Sequence, residues 1–148
     1  MSSDPLPFQF LSRESALCHN ARFIDIDYDK LMANKRNIIH RCKALSDLIP
    51  DIHLPAESST VLVRSKQYIG IGCDLRELQK LEQILKVEIG SAECSVLCTA
   101  EVSLTYMDVM SADALIAWSS KLSNGQSASF FCLSFQANEV EKLERRLS

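Results

Sequence analysis

Three carboxylates occupy matching places in the sequence and could together bind a nucleotide-like ligand. Asp27, Asp74 and Glu101 each follow an apolar run, and each precedes a helical pattern or a loop. Short runs rich in β-branched residues are typical of strands. Because the carboxyl ends of parallel strands share one edge of a sheet, we expect these acids to lie along one rim, where a carboxylate can accept hydrogen bonds from ribose hydroxyls. For any one of the three, a solvated acid at a strand-to-helix turn is the alternative.

The other chemically active residues form weaker patterns. Gly70 and Gly72 lack the third glycine of a dinucleotide-binding loop, so the pair indicates close backbone packing at a strand end. Cys94 and Cys98 share one face of a strand, and no cysteine or histidine has the paired spacing of a zinc site, so we expect no metal. No sequence pattern places a nucleophilic side chain beside a general base. The basic residues over 30–43 indicate a solvated helix face, with contact to an anionic partner as the alternative.

Composition limits the class of protein. The chain has 148 residues, 47% of them hydrophobic, which suits one soluble domain with a core. A formal net charge of -3 argues against nucleic-acid binding by charge alone, so an RNA substrate would need a local basic patch or a separate domain. The cysteines lie mostly inside apolar runs, which suits a reducing compartment. With no secretory signal and no apolar run long enough for a membrane span, we expect a cytoplasmic protein.

The order of strand and helix patterns predicts an α/β fold. Alternation at this spacing implies right-handed crossovers and a mostly parallel sheet with flanking helices. The runs at 60–63 and 68–71 fit either a hairpin-like edge or an approach to one core strand. Asp74 is placed to cap the helix that follows it. The other predicted elements are strands over 22–26, 94–100 and 129–133, a short helix within 4–11, and helices over 31–49, 75–85, 112–122 and 139–147.

Three blocks of residues resemble the leucine carboxyl methyltransferase family, which comprises class I enzymes that depend on S-adenosylmethionine. The strand at 23–28, followed by Lys35, is similar to the family strand whose final acid binds the cofactor ribose. Residues 68–78 are similar to the family's G-x-DLR-x-L block, and residues 100–107 resemble its AE-x-x-L-x-YM block. The resemblance implies a class I methyltransferase fold of the Rossmann-like type.

The resemblance also implies roles for individual residues. Asp27 would hold the ribose of S-adenosylmethionine, and Asp74 with Leu75 would frame its adenine. Glu101 would line the pocket shared by cofactor and substrate, and Tyr106 would be a substrate-side contact. No catalytic residue is assigned, because a carboxylate acceptor is ionised at neutral pH and needs no strong base.

Two branches of the family differ in their methyl acceptor. One methylates the C-terminal leucine carboxylate of a protein phosphatase catalytic subunit. The other acts on tRNA-Phe in the last steps of wybutosine synthesis, by methylation and methoxycarbonylation of the modified guanosine side chain. Residues 4–9, 104–106 and 114–118 are more similar to the wybutosine branch, so a tRNA partner is favoured over the phosphatase subunit. A non-catalytic fragment or interaction module is the alternative from a different class.

The two ends of the chain depart from the family pattern. The family's first strand and glycine-rich loop should precede Asp4, and they have no counterpart in the sequence. We therefore expect a truncated methyltransferase domain over 1–133, an internal fragment with its first strand missing. The charged helical pattern over 134–148 does not align with the family and is expected to form a divergent C-terminal helix.

Overall fold

The computed structural model describes residues 5–56, 58–90, 95–101, 103–122 and 128–133. They form an α/β structure that divides into two compact units, Met1–Glu77 and Leu78–Ser148. The α/β class predicted from the sequence is confirmed. The charged helix expected over 139–147 lies outside the described residues.

The first unit is a small mixed sheet with helices packed beside it. Strand β3 lies between β1, which is parallel to it, and β2, which is antiparallel to it. The hairpin interpretation of the runs at 60–63 and 68–71 is therefore the one observed. All residues of β3 are buried, as expected for the central strand. The elements in chain order are α1 (Leu6–Arg13), β1 (Phe23–Asp27), α2 (Asp29–Arg41), α3 (Lys43–Ser46), β2 (Val61–Arg64) and β3 (Tyr68–Gly72).

The predicted helix over 31–49 is interrupted at Cys42, whose extended backbone (φ -98°, ψ 99°) separates α2 from α3. The Ser46 hydroxyl donates to the Lys43 carbonyl at 3.1 Å, and such local bonds favour short turns over a continuous helix. The break redirects the chain so that Leu45 packs against the core and Ile49 is fully buried. Burial of these side chains is the physical reason for the difference from the sequence prediction.

The glycines of β3 allow helix α2 to approach the sheet closely. A Cβ atom on Gly70 would lie 2.9 Å from the Met32 sulfur, and one on Gly72 would lie 2.8 Å from Asp29 Oδ1 and 3.1 Å from the Asp29 Cα. Real Cβ atoms essentially never lie within 3.0 Å of another heavy atom, and 3.1 Å is tighter than most real Cβ contacts. The close-packing interpretation of this glycine pair is confirmed.

Where the structure describes it, the second unit contains a parallel strand pair, two α-helices and a 3-10 helix. Its elements are α4 (Leu78–Ile89), β4 (Val96–Glu101), a 3-10 helix (Ser103–Tyr106), α5 (Val109–Ser119) and β5 (Ala128–Leu133). Helix α5 begins three residues before the predicted start at Ala112, because Asp108 caps it by accepting from the Ser111 backbone N–H at 2.9 Å. Burial raises the pKa of the Cys98 thiol on β4. No helix in the described part of the chain could cross a membrane.

Candidate functional site

Strands β1 and β3 end together and bring two of the predicted acids to one edge. Asp27 is the last residue of β1 and lies opposite Gly72, the last residue of β3. The Cys73 backbone N–H donates to the Asp27 carbonyl at 2.8 Å, which holds the two chain exits side by side. Asp74 follows two residues after Gly72. The pairing that the sequence analysis expected for Asp27 and Asp74 is therefore present at the carboxyl edge of a parallel strand pair.

The Asp27 side chain is half-buried at this edge and has an oxygen available to a ligand. Its Oδ1 accepts the Tyr28 backbone N–H at 2.7 Å, which fixes the orientation of the carboxylate. Among the residues that the structure describes, no partner contacts Oδ2. An oriented carboxylate with one open oxygen can accept hydrogen bonds from vicinal hydroxyls.

The Asp74 carboxylate is engaged locally by Arg76. Its Oδ1 accepts the Arg76 backbone N–H at 2.9 Å and the Arg76 Nε at 3.0 Å. The hydrogen bond from the Arg76 side chain, aided by the backbone bond, lowers the pKa of Asp74 below its ordinary value. The expectation that Asp74 caps the next helix is wrong, because its carboxylate turns to Arg76 and α4 begins only at Leu78. Leu75 lies half-exposed in the same turn.

The sequence analysis missed a buried polar cluster formed by Asp25 of β1, Lys35 of α2 and Tyr68 of β3. The Lys35 ammonium forms an ion pair with Asp25 Oδ2, and the Tyr68 hydroxyl donates to the same oxygen at 3.0 Å. Lys35 is only 5% exposed, and its Nζ lies 5.9 Å from the centroids of the Phe8 and Tyr68 rings. The Asp25 carboxylate is thus bound by Lys35 and Tyr68, whereas Asp27 lies at the end of the strand.

The helical periodicity of α2 could have predicted that Lys35 is buried. Lys35 is three residues after Met32 and four before Ile39, and all three are buried on one face of α2. A lysine at a core-facing position requires a buried anion. Strand β1 packs beside α2 and supplies that anion, Asp25.

Two other predicted site residues belong to the second unit. Glu101 ends β4 and lies opposite Leu133 of β5, so it is at the carboxyl end of a second parallel pair. Tyr106 ends the 3-10 helix and is 87% exposed. Their proximity to Asp27 stays a prediction. Within the described ranges, no cluster of three or more histidine, cysteine, aspartate or glutamate side chains could hold a metal ion.

Parallel strands that end on acids are an arrangement typical of nucleotide-binding α/β proteins. Residues 4–120 match the leucine carboxyl methyltransferase family, so the chain belongs to that family.

Individual relatives carry a more specific name. The chain is similar to tRNA wybutosine-synthesizing protein 4 of Aspergillus fumigatus (49% identity over 130 residues) and of Emericella nidulans (48% over 130 residues). In both cases the match covers 88% of the chain and 12% of the relative. The protein of that name from Candida glabrata is 36% identical over 126 residues, which is 82% of the chain and 18% of the relative. The chain thus spans a small part of the curated relatives it matches.

Proposed function

We propose that this chain supplies the ribose- and adenine-binding edge of an S-adenosylmethionine-dependent carboxyl methyltransferase that acts in wybutosine synthesis on tRNA. The observation that carries the proposal is the Asp27 carboxylate, oriented by the Tyr28 backbone N–H and open at Oδ2. Membership of the leucine carboxyl methyltransferase family supports the reaction class and the cofactor. The names of the relatives support the tRNA substrate over a phosphatase subunit.

The residues of the first unit fit the adenosine part of the cofactor. Asp27 would accept hydrogen bonds from the ribose hydroxyls, and the adjoining turn with Asp74 and Leu75 would border the adenine. Arg76 already occupies the Asp74 carboxylate, so we propose that the ribose contact depends on Asp27 and that Asp74 shapes the turn. By the family resemblance, Glu101 would line the pocket shared by cofactor and substrate, and Tyr106 would be a substrate-side contact.

The chemistry requires alignment more than acid–base catalysis. S-adenosylmethionine supplies an activated methyl group on a sulfonium, which is already a good leaving group. A carboxylate acceptor is ionised at neutral pH, so the protein's task is to hold acceptor and cofactor in line. A site with oriented acids suits that task. We further propose that residues 1–133 form the methyltransferase part, that 134–148 add a separate charged helix, and that the protein acts in the cytoplasm.

Calorimetric titration of the 148-residue chain with S-adenosylmethionine tests the proposal. We expect one-to-one binding that Asp27→Asn weakens by about tenfold or more, because hydrogen bonds to a charged group contribute roughly 1.5–3 kcal/mol. Asp47→Asn removes the same charge from an exposed pair with Lys43 and should leave the affinity unchanged. Unchanged affinity in Asp27→Asn would contradict the ribose assignment. Absence of binding by the unmodified chain would support the non-catalytic alternative.

A further inference from the structure

Strand β1 lies at an edge of the sheet in the first unit. Its Phe23 backbone N–H donates to the Gln67 carbonyl at 2.8 Å, and its Asp27 carbonyl accepts the Cys73 backbone N–H at 2.8 Å. Both bonds join β1 to the ends of β3, its one pairing partner in the described part of the chain. Successive residues of a strand direct their backbone groups to opposite sides. Phe23, Asp25 and Asp27 therefore direct theirs toward β3, and the residues between them direct theirs away.

The outward backbone groups belong to Ile24 and Ile26, and they are called the open edge below. Within the described ranges, neither residue has a hydrogen-bond partner on that side. Each contributes an N–H and a carbonyl group, which are strong hydrogen-bonding groups that a further strand can satisfy. An edge of this kind is a template for pairing with another chain.

The opposite edge of the same sheet is irregular and partly covered. A register shift between Val61 and Val63 interrupts the ladder of β2. The Arg64 carbonyl accepts the His53 backbone N–H at 2.7 Å, and the Arg64 backbone N–H donates to the His53 carbonyl at 2.9 Å. Bulges and covered ends make an edge a poor template for pairing. The open edge of β1 is therefore the better template of the two.

An exposed apolar side chain of α2 lies on the side of the open edge. Lys35 reaches Asp25 of β1, whereas Arg36 donates to the Pro55 carbonyl, in the segment that follows the bridge to β2. The side of α2 next to Lys35 and away from Arg36 therefore faces the open edge. Ile38, three residues after Lys35, lies on that side and is 50% exposed.

A second apolar group adjoins the N-terminal end of β1. Phe10 of α1 is 44% exposed, and its ring stacks on that of Phe23 with a centroid distance of 6.2 Å. Apolar side chains beside unpaired strand groups are the combination that a second protein surface can cover, because burial of the side chains adds to the backbone hydrogen bonds.

We propose that the open edge pairs antiparallel with the open edge of a second copy of this chain, which gives a symmetric dimer. With Asp25 at the two-fold axis, Ile24 of each copy lies opposite Ile26 of the other. Each such pair exchanges two hydrogen bonds, so the open edges of both copies are satisfied. Because one edge of each copy is used, the assembly closes at two chains. The proposal does not rest on the proposed function.

The charges at the two ends of β1 favour the antiparallel direction. Asp27 and Asp29 lie at the C-terminal end of the strand. Lys66 is exposed beside the N-terminal end, where its carbonyl accepts from the Arg22 Nε at 3.1 Å. Among the residues that the structure describes, neither acid pairs with a cation and Lys66 pairs with no acid. An antiparallel copy brings Lys66 toward the acids of its partner, whereas a parallel copy would bring like charges together.

The buried ion pair makes the central position of the interface compatible with self-pairing. In this register the two Asp25 residues lie directly opposite each other, where unpaired like charges would destabilise the contact. Each Asp25 carboxylate is bound within its own copy by the Lys35 ammonium and by the Tyr68 hydroxyl at 3.0 Å. The pairing thus places no uncompensated charge at the axis.

Analytical ultracentrifugation of the 148-residue chain over a range of concentrations tests the proposal. We expect a monomer–dimer equilibrium for the unmodified chain. Ile24→Pro removes an N–H that β3 does not use, a position where an edge strand accepts proline, so the dissociation constant should rise by about tenfold or more. Ile24→Val keeps the N–H and should dimerise as the unmodified chain does. Circular dichroism of each variant checks that the fold is retained.

Ile38→Glu tests the apolar flank without changing the strand. The new carboxylate would lie near the open edge and the acids of the second copy, so the dissociation constant should again rise. Val87→Glu makes the same change on α4, where Val87 is 77% exposed, and should leave dimerisation unchanged. This pair of variants keeps the proposal testable if Ile24→Pro does not fold.

Hydrogen exchange measured by NMR identifies the surface that pairs. The amides of Ile24 and Ile26 should exchange more slowly as the protein concentration rises, because they gain acceptors only in the dimer. The Phe23 amide, which already donates to the Gln67 carbonyl, should be protected at every concentration.

Three results would overturn the proposal. They are a chain that stays monomeric, including one that pairs only with a strand of a different polypeptide; an unchanged dissociation constant for both Ile24→Pro and Ile38→Glu; and dimers in which the Ile24 and Ile26 amides exchange as fast as in the monomer. Dimerisation is measured without cofactor, so a failure to bind S-adenosylmethionine would count against the proposed function and not against the dimer.

Discussion

Replacing Lys35 by methionine would test the energetic role of the buried cluster formed by Asp25, Lys35 and Tyr68. Methionine has a similar length and keeps an apolar side chain near the rings of Phe8 and Tyr68, but it removes the ammonium group. The Asp25 carboxylate would lose its ion pair and keep the hydrogen bond from the Tyr68 hydroxyl at 3.0 Å. The substitution therefore isolates the charge from the packing.

The expected magnitude follows from burial. Removing one partner of a buried ion pair destabilises proteins by roughly 3–5 kcal/mol. The Asp25 side chain is 18% exposed, so water relieves part of this penalty, and we expect about 2–3 kcal/mol for Lys35→Met. Asp25→Asn removes the Asp25 anion from a lysine side chain that is 6% exposed, and it should cost about 3 kcal/mol. Tyr68→Phe removes the hydrogen bond to this charged acceptor, which contributes about 1.5 kcal/mol.

Equilibrium urea unfolding of the single variants and of Lys35→Met/Asp25→Asn gives a double-mutant cycle. The double variant removes both charges, so it should be less destabilised than the sum of the single changes by about 2 kcal/mol. Additivity within about 0.5 kcal/mol would refute the inference that the ammonium and the carboxylate depend on each other. A larger loss of unfolding free energy for Tyr68→Phe than for Lys35→Met would contradict the expected order of these substitutions.

The remaining predictions concern the edge itself. Gly72→Ala should lower the free energy of unfolding by about 2–3 kcal/mol, because the new Cβ would lie against the backbone of Asp29. Gly70→Ala should lower it by about 1 kcal/mol, because the new Cβ would lie against the flexible side chain of Met32. Equal urea midpoints for the two variants would contradict this order. Arg76→Gln should raise the Asp74 pKa toward its ordinary value in an NMR titration of the carboxyl, and an unmoved midpoint would exclude Arg76 as the cause. Because that pKa is lowered in the fold, the pairing stabilises the protein above the unfolded pKa, and the stabilisation is lost as pH falls through the folded pKa.

Local sequence patterns predicted most elements because each carries its own periodicity. The β-branched run that became β1 and the leucine stripe of α4 needed no tertiary information. The break at Cys42 was not predictable in this way, because it is set by where Ile49 is buried. The early start of α5 was readable from Asp108, an N-cap residue followed by a helical pattern.

The candidate site was predictable where the strand pairing alone determines it. Asp27 and Asp74 lie at the same edge of the sheet because β1 and β3 are parallel and in register. Strands that each end on an acid predict such a shared edge. The partners of individual carboxylates were not predictable, because they depend on side chains from other elements. The Asp74 carboxylate accepts a hydrogen bond from Arg76 and does not cap α4, and Lys35 of α2 forms an ion pair with Asp25.

The pairing of Asp25 with Lys35 supports the proposal that Asp27, rather than Asp25, contacts a ligand. The two residues lie on one face of β1, about 7 Å apart along the strand. Two ionised carboxylates at that distance repel each other by about 2 kcal/mol at the effective dielectric constant typical of proteins. Lys35 neutralises Asp25 and so removes most of that repulsion, while no cation pairs with Asp27 among the residues described. The strand can thus carry two acids close together because Asp25 is paired inside the fold, while Asp27 lies at the edge of the sheet.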